Sequence, residues 1–326
     1  MRLAHCSDLH LLSIAGTRWL ELMNKRWIGR MNLISNRSRH YHVDAFDDMV
    51  ADLNTHGIDH VLCTGDVTNL ALRREFEFAR RKFDNLTHGK TNITVIPGNH
   101  DAYVAEGVGL FAETFEPFSA TDPEWAWTAD DLAADDHEND VVDGVPRWPI
   151  VRVRGEVAVI GLSTSRQTPW FTAYGRIGAG QASRLERVLA DPRLAGASGP
   201  DSQARRIFRL VAIHHPVAGQ RAKSRIRGLR DHDRFAEVIA RAGADLIVHG
   251  HEHRDISESL AGPDGRSVPV RGIVSGTHFV DNKPDKTARY RIFEIENGAL
   301  VSASTRIWDR AARRFVAETG SGNAGA

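Results

Sequence analysis

Only two cysteines, Cys6 and Cys63, occur among 326 residues, each inside an apolar run. Neither a disulfide framework nor a cysteine-rich zinc site can be built from them. There is no excess of charge: 42 Lys and Arg face 42 Asp and Glu. A whole-molecule electrostatic grip on nucleic acid or on an anionic membrane is therefore not expected, local patches aside. No stretch approaches twenty uncharged apolar residues, which excludes an ordinary membrane-spanning helix. The first residues contain no signal-peptide hydrophobic region, so a cytoplasmic setting is expected. Apolar residues are not scarce: 41% hydrophobic and 26% charged is the composition of a soluble globular chain and excludes disorder as its main state. The length suits two ordinary domains or one large layered one. No internal repeat is present.

What is abundant is histidine, 16 residues, and its placement is ordered. Short Val/Ile/Leu-rich runs at 2–7, 59–63, 92–96, 156–162, 208–213 and 244–248 read as strands buried on both faces. Apolar residues at helical spacing lie between several of them: Phe46, Met49, Val50 and Leu53; Leu72, Phe76, Ala79, Phe83 and Leu86; Leu185, Val188 and Leu189; Phe235, Val238 and Ile239. Strand–helix alternation predicts crossover units in a layered α/β fold. After His253 the runs at 268–275, 288–296 and 300–308 read as a meander completing a second sheet. One domain over 1–310 is expected, with a disordered small-residue tail at 319–326. Two segments interrupt the alternation. Residues 14–43 form a basic amphipathic insertion, and residues 121–147 an acidic surface loop with nine acids and no Lys or Arg between 121 and 143.

The chemistry sits at the strand ends. Asp8 and His10, Asp66, Asn99 and His100, His214, and His251 with His253 each follow a predicted strand, and ligands of open α/β sheets bind outside the carboxyl ends of strands. Imidazole and carboxylate without thiolate suits Mn, Fe, Zn or Co and is a poor match to Ca or Mg. Two neighbouring cations need a bridging anion, which Asp66 could supply. Taken singly, each motif has a plain reading, Gly98-Asn99-His100-Asp101 as a polar turn and cap for instance. Their occurrence together and in this order points to a shared metal site. His251 and His253, two apart, would face the same way in a strand.

Asp8-X-His10, Gly65-Asp66, Gly98-Asn99-His100-Asp101, His214 and Gly250-His251-X-His253 together resemble the motif series of the calcineurin-like metallophosphoesterases, over nearly the whole chain. The resemblance implies a four-layer αββα sandwich of two mixed β-sheets flanked by helices, with two divalent transition-metal ions. It implies that Asp8, His10 and His253 bind one ion, that Asn99, His214 and His251 bind the other, and that Asp66 bridges them. His100 matches the family's catalytic histidine, and a metal-bridging hydroxide would attack the phosphorus in line. In His214-His215-Pro216 the family pattern makes His214 the ligand and His215 a neighbour behind it. Asp101 is a further candidate for support of the site.

Many relatives carry Asp three residues after the bridging Asp, where Asn69 stands here. A neutral amide can hold an imidazole but cannot stabilise an imidazolium as a carboxylate would. Equally, Asn69 could cap a helix beginning near Leu70. Among substrates, a small-molecule or lipid phosphodiester is expected. The UDP-diacylglucosamine hydrolases, lipid-linked nucleotide pyrophosphatases, share Asp-X-His but typically have Arg where His100 stands. Gly-Asn-His-Asp and His-His-Pro most resemble bacterial cyclic-nucleotide and glycerophosphodiester phosphodiesterases. A phosphomonoesterase remains an alternative. A nuclease is disfavoured by the zero net charge, and a non-catalytic scaffold by the intact ligand set. Leu20, Met23, Trp27, Met31 and Ile34 make one apolar face in the basic insertion. That helix either packs on the protein's own core or meets a membrane surface as a lid or substrate wall.

Overall fold

Six strands form one mixed sheet, in the order Arg314–Ala317, Ala299–Asp309, Arg289–Glu296, Arg2–Cys6, His60–Cys63 and Ile93–Val95. Six more form a second, in the order Ile256–Ala261, Ser267–Gly272, Leu246–His249, Phe208–Ala212, Val157–Gly161 and Ile150–Arg154. The computed structural model describes residues 1–11, 40–133, 141–195 and 206–318. In the first sheet β1 (Arg2–Cys6), β2 (His60–Cys63) and β3 (Ile93–Val95) run parallel. In the second, β7 (Val157–Gly161), β8 (Phe208–Ala212) and β9 (Leu246–His249) do the same. Further strands widen each triplet. β6 (Ile150–Arg154) pairs with β7, and β11 (Ser267–Gly272) lies parallel to β9 and carries β10 (Ile256–Ala261) at the edge.

The alternation of side chains across β8 shows why there are four layers. Leu210 and Ala212 join the core between the sheets, while Val211 and Ile213 face the outer helices α4 (Ala179–Leu189) and α5 (His232–Ala242). Those helices bury Leu185, Val188, Phe235 and Ile239. On the other side α1 (Val43–Thr55), α2 (Arg73–Phe83) and α3 (Ala105–Ser119) cover the first sheet with Phe46, Met49, Phe76, Phe83, Phe111 and Phe115. The αββα sandwich expected from the motifs is the observed architecture.

Four details differ from the sequence reading. The runs at 288–296 and 300–308 do not join the run at 268–275 in one meander. As β12 (Arg289–Glu296), β13 (Ala299–Asp309) and β14 (Arg314–Ala317) they extend the first sheet, with β12 antiparallel to β1 and Met1 donating to Ile295. A period-two pattern says which face is buried but not which sheet edge receives the strand. β14 also carries the domain past residue 310. The acidic segment is more tied down than a solvated loop: Trp125 is buried in the second core, Asp122 pairs with Arg154 at 2.7 Å, and Asp131 with Arg187 at 2.7 Å. A short ribbon of β4 (Val141–Val142) and β5 (Val145–Pro146) closes it. Finally, α3 has no counterpart in the strand–helix alternation read from sequence, because Gly107, Gly109 and Pro117 interrupt its pattern. The amphipathic face at 14–40 lies almost wholly outside the described residues, and the tail at 319–326 lies outside them. Among the described residues no helix is long and apolar enough to cross a membrane.

Candidate metal centre

The carboxyl ends of both parallel triplets open on one rim, and the loops leaving them interlock through their backbones. Asp8 donates to the Gly65 carbonyl at 2.9 Å, His10 to Asp66 at 2.8 Å, and Leu11 to Val67 at 2.9 Å, so pairing continues past the ends of β1 and β2. From the other sheet the His251 amide donates to the Asp8 carboxylate at 3.0 and 3.1 Å. The turn after β11 closes behind, with Ser275 donating to the Asp8 carbonyl and Thr277 to the Leu9 carbonyl, both at 2.6 Å.

Asp8, His10, Asp66, His251 and His253 all take positive φ, between 43° and 69°. A non-glycine residue pays roughly 1–3 kcal/mol in such a sparsely populated region, and here the strain turns the side chains into the rim. The two histidines therefore share a site for a different reason than expected. β9 ends at His249, and His251 and His253 stand in a turn, not along a strand. Close approach also demands glycine. A Cβ on Gly98 would overlap the Asp66 amide and its Oδ1, and one on Gly250 would overlap Ser7 Oγ and Asp8 Oδ2. Gly98→Ala should thus destabilise the fold by about 1–3 kcal/mol, the usual cost of overpacking, visible as a lower urea midpoint with unchanged slope.

Two clusters result. In the first, His253 Nε2 lies 3.1 Å from Asp8 Oδ1 and 3.4 Å from His10 Nε2, and His10 Nε2 lies 3.7 Å from Asp66 Oδ2. Ligand atoms of Asp8, His10, Asp66 and His253 all fall within 4.8 Å of one another. In the second, Asn99 Oδ1 is 3.0 Å from His214 Nε2 and 2.7 Å from His251 Nδ1, and His214 Nε2 is 3.5 Å from the other oxygen of Asp66, Oδ1. All seven expected ligand residues are brought together, three on each side of Asp66.

The donor set fits metal ions. His214 Nδ1 donates to the Thr64 carbonyl at 2.7 Å, and His10 Nδ1 to the Thr68 carbonyl at 3.3 Å. Each ring therefore turns an unprotonated Nε2 toward oxygen and nitrogen acceptors, a crowding of lone pairs that a cation relieves. Burial holds His214 below the usual histidine range and His251 well below it, which keeps both neutral, the form that ligates metal.

His215 points elsewhere. Its Nδ1 meets Thr164 Oγ1 at 2.7 Å and its Nε2 donates to the Ala173 carbonyl at 3.1 Å, while its ring packs 4.6 Å from that of His251. Asp101 is fully buried and accepts from the amides of Val67, Thr68 and Gly98 and from Thr68 Oγ1, at 2.8 to 3.2 Å. Burial pushes its pKa up to about 6 against those hydrogen bonds. It fastens the Asp66 loop to the Asn99–His100 loop.

His100 stands at the edge of the clusters. Its amide donates to Asp66 Oδ1 at 2.7 Å and its Nδ1 to the Asn69 backbone carbonyl at 2.7 Å, with the ring stacked on Tyr103. Both sequence readings of Asn69 need correction. The helix begins at Arg73 with Leu72 at its cap, and the Asn69 side chain donates to the His10 carbonyl at 2.8 Å. The main chain of Asn69, not its amide group, orients His100. Two contributors escaped the sequence reading. Tyr103 forms the floor under His100, and the Tyr41 hydroxyl meets His253 Nδ1 at 3.0 Å. An aromatic next to a motif histidine was the available signal for Tyr103. Tyr41 lies near the end of the basic insertion, outside its apolar face, and had none.

The family model for calcineurin-like phosphoesterases matches residues 1–255. No curated protein sequence matches the chain. Among solved structures, the purple acid phosphatase from yellow lupin (Lupinus luteus) seeds aligns over 97% of this chain and 52% of its own length, at 11% identity and a TM-score of 0.54. The chain thus spans about half of that enzyme, and the likeness is one of fold. A dimetal phosphatase from Danio rerio aligns over 97% of this chain and 98% of its own, at 11% identity and a TM-score of 0.49. With the motif series folded onto one rim and the family match covering both parallel triplets, the chain belongs to the calcineurin-like phosphoesterases and is a metal-dependent phosphoester hydrolase.

Proposed function

We propose that this enzyme is a phosphodiesterase in which Asp8, His10 and His253 hold one divalent transition-metal ion, Asn99, His214 and His251 hold a second, and Asp66 joins them. The observation that carries the reading is Asp66, whose two oxygens face different clusters, Oδ2 toward His10 and Oδ1 toward His214. A bound pair of Mn, Fe, Zn or Co ions would clamp the phosphate and lower the pKa of a coordinated water toward about 7. The protein's own part is positional. Because His100 Nδ1–H is committed to the Asn69 carbonyl, proton exchange with substrate runs through Nε2: the imidazolium form carries a proton there, gives it to the departing alkoxide oxygen, and is left as the neutral ring. The Tyr103 stack and the Asn69 carbonyl fix the ring before substrate arrives. Two free, buried cysteines suit a reducing compartment such as the cytoplasm.

Diester preference is supported by the resemblance of Gly98-Asn99-His100-Asp101 and His214-His215-Pro216 to the bacterial diesterases. Its test is a comparison of bis(p-nitrophenyl) phosphate with p-nitrophenyl phosphate, extended to a cyclic nucleotide, a glycerophosphodiester and a lipid-linked nucleotide, on protein reconstituted with Mn, Fe, Zn or Co. The expected kcat/KM favours the diester by about tenfold or more, some 1.4 kcal/mol of discrimination. A preference for the monoester would reassign the enzyme as a phosphomonoesterase.

A further inference from the structure

The loop leaving β7 is rooted beside the metal-type clusters and ends in an exposed aromatic tip. Ser165 Oγ donates to the Pro97 carbonyl at 2.8 Å, just before the Gly98–Asp101 motif, and the Ala173 carbonyl accepts from His215. Between these anchors Trp170 is 55% and Phe171 80% exposed. Their exposure is built in. Phe171 sits at φ 65°, and the turn is clasped by Thr168 Oγ1 to the Thr172 carbonyl at 2.7 Å and by Thr172 Oγ1 to the Pro169 carbonyl at 2.7 Å. A neighbouring segment adds to the tip: Ala173 donates to the Ile226 carbonyl at 2.8 Å and Gly175 to Gly228 at 3.0 Å, and the Ile226 side chain is 55% exposed.

That second segment is cationic. Residues 219–230 contain five Lys and Arg and no acid. Arg221 is paired with Glu252, and Arg230 lies over the Tyr174 ring. Lys223, Arg225 and Arg227 are exposed. Of the acids nearby, Asp231 binds the Ile177 and Gly178 amides and faces Arg176 and Arg234, Glu258 lies against Gly219 at the start of the segment, and Glu106 lines a groove with Trp170.

We propose that the tip of Trp170, Phe171 and Ile226, with the exposed Lys223, Arg225 and Arg227 of the adjoining segment, docks on an anionic lipid bilayer and presents the metal rim to its surface. Indole and phenyl rings partition to the headgroup boundary, and each cation adds attraction to acidic lipids. Resting on the diesterase reading, this makes a lipid phosphodiester in the bilayer the substrate class. Exposed aromatics next to a run of cationic residues are complementary to the headgroup boundary of an acidic bilayer, and that complementarity selects the occupant.

Flotation with vesicles of phosphatidylcholine, alone or with roughly one-third phosphatidylglycerol, tests the surface. Wild type should float with the anionic vesicles at low salt and release as salt rises. The pair Trp170→Ser and Phe171→Ser should lower partitioning about tenfold or more, and Lys223→Gln with Arg225→Gln about fivefold per charge. Both variants should hydrolyse bis(p-nitrophenyl) phosphate in solution like wild type, which verifies their fold. Wild type that ignores anionic vesicles overturns the proposal. So do variants that bind vesicles undiminished, which would place any lipid contact elsewhere in the chain, and a wild-type dimer that the aromatic pair dissociates without any vesicle binding. Flotation needs no turnover, so a protein inert on every diester would defeat the functional reading alone and leave this surface still decided by the vesicles.

Discussion

Asp66→Ala protein should fold, bind at most one of the two metal ions, and lose phosphodiester hydrolysis by more than about 10³-fold, beyond the effect of removing a single electrostatic donor. The expectation follows from position. One carboxylate serves both clusters, with Oδ2 3.7 Å from His10 Nε2 and Oδ1 3.5 Å from His214 Nε2, so its removal strips a ligand from both sides and lets the remaining imidazoles face one another uncompensated. Asp66 Oδ1 also accepts from the His100 amide, and that restraint goes with it. Metal content by elemental analysis and the rate on bis(p-nitrophenyl) phosphate provide the readouts. Full turnover by this variant, or by wild type stripped of metal, would sink the assignment of the rim as a metal centre.

The second large effect belongs to His100. His100→Ala should retain both metal ions, since its ring is outside the two ligand clusters, yet lose about 10²–10⁴-fold in kcat, the scale of a positioned acid–base group. The loss should shrink for a substrate whose leaving group needs no proton, such as p-nitrophenolate, and grow for an alkoxide. Asn69→Asp adds an informative arm. Because the main-chain carbonyl of Asn69 orients His100, the substitution leaves that bond in place and instead removes the donor to the His10 carbonyl. Its effect should fall on metal retention and stability more than on the alkaline limb of the rate profile. A shifted limb with unchanged metal content would show that the side chain acts on His100 after all.

Most of the site was legible because its residues follow strands. Hydrophobic runs ending in Asp8, Asp66, Asn99, His214 and His251 announce both the parallel strands and the rim they share, and the motif order resolves His214 from His215 where composition alone does not. What stayed hidden was conformational. Positive φ at Asp8, His10, Asp66, His251 and His253 leaves no trace in residue type, since glycine is the residue that usually signals it. His251 and His253 reach the rim from a turn after β9 and not, as their spacing suggests, from one face of a strand. Asn69 was misjudged because its main chain does what its side chain was credited with. In the fold, β12–β14 were visible as strands but not assignable to a sheet, and α3 was masked by Gly107, Gly109 and Pro117. Gly107 has a purpose there: a Cβ would overlap the Asp101 carbonyl, so the helix gives up propensity to lie against the motif loop.

The clusters draw on both halves of the sandwich. Asp8, His10, Asp66 and Asn99 leave the strands of one sheet, while His214, His251 and His253 leave the strands of the other. A chain in which either sheet has formed alone owns only part of each ligand set, so tight metal uptake cannot begin until the sheets have docked. Bound ions would then act as rivets across two sheets that already share the core between them. Exchange of the amides of β2 and of β8 with solvent, which in the metal-free protein follows whichever sheet opens more readily, should slow together once metal is added. Loading would thus tie the two sheets together more firmly, and the order of events during maturation becomes sheet assembly first and activity last.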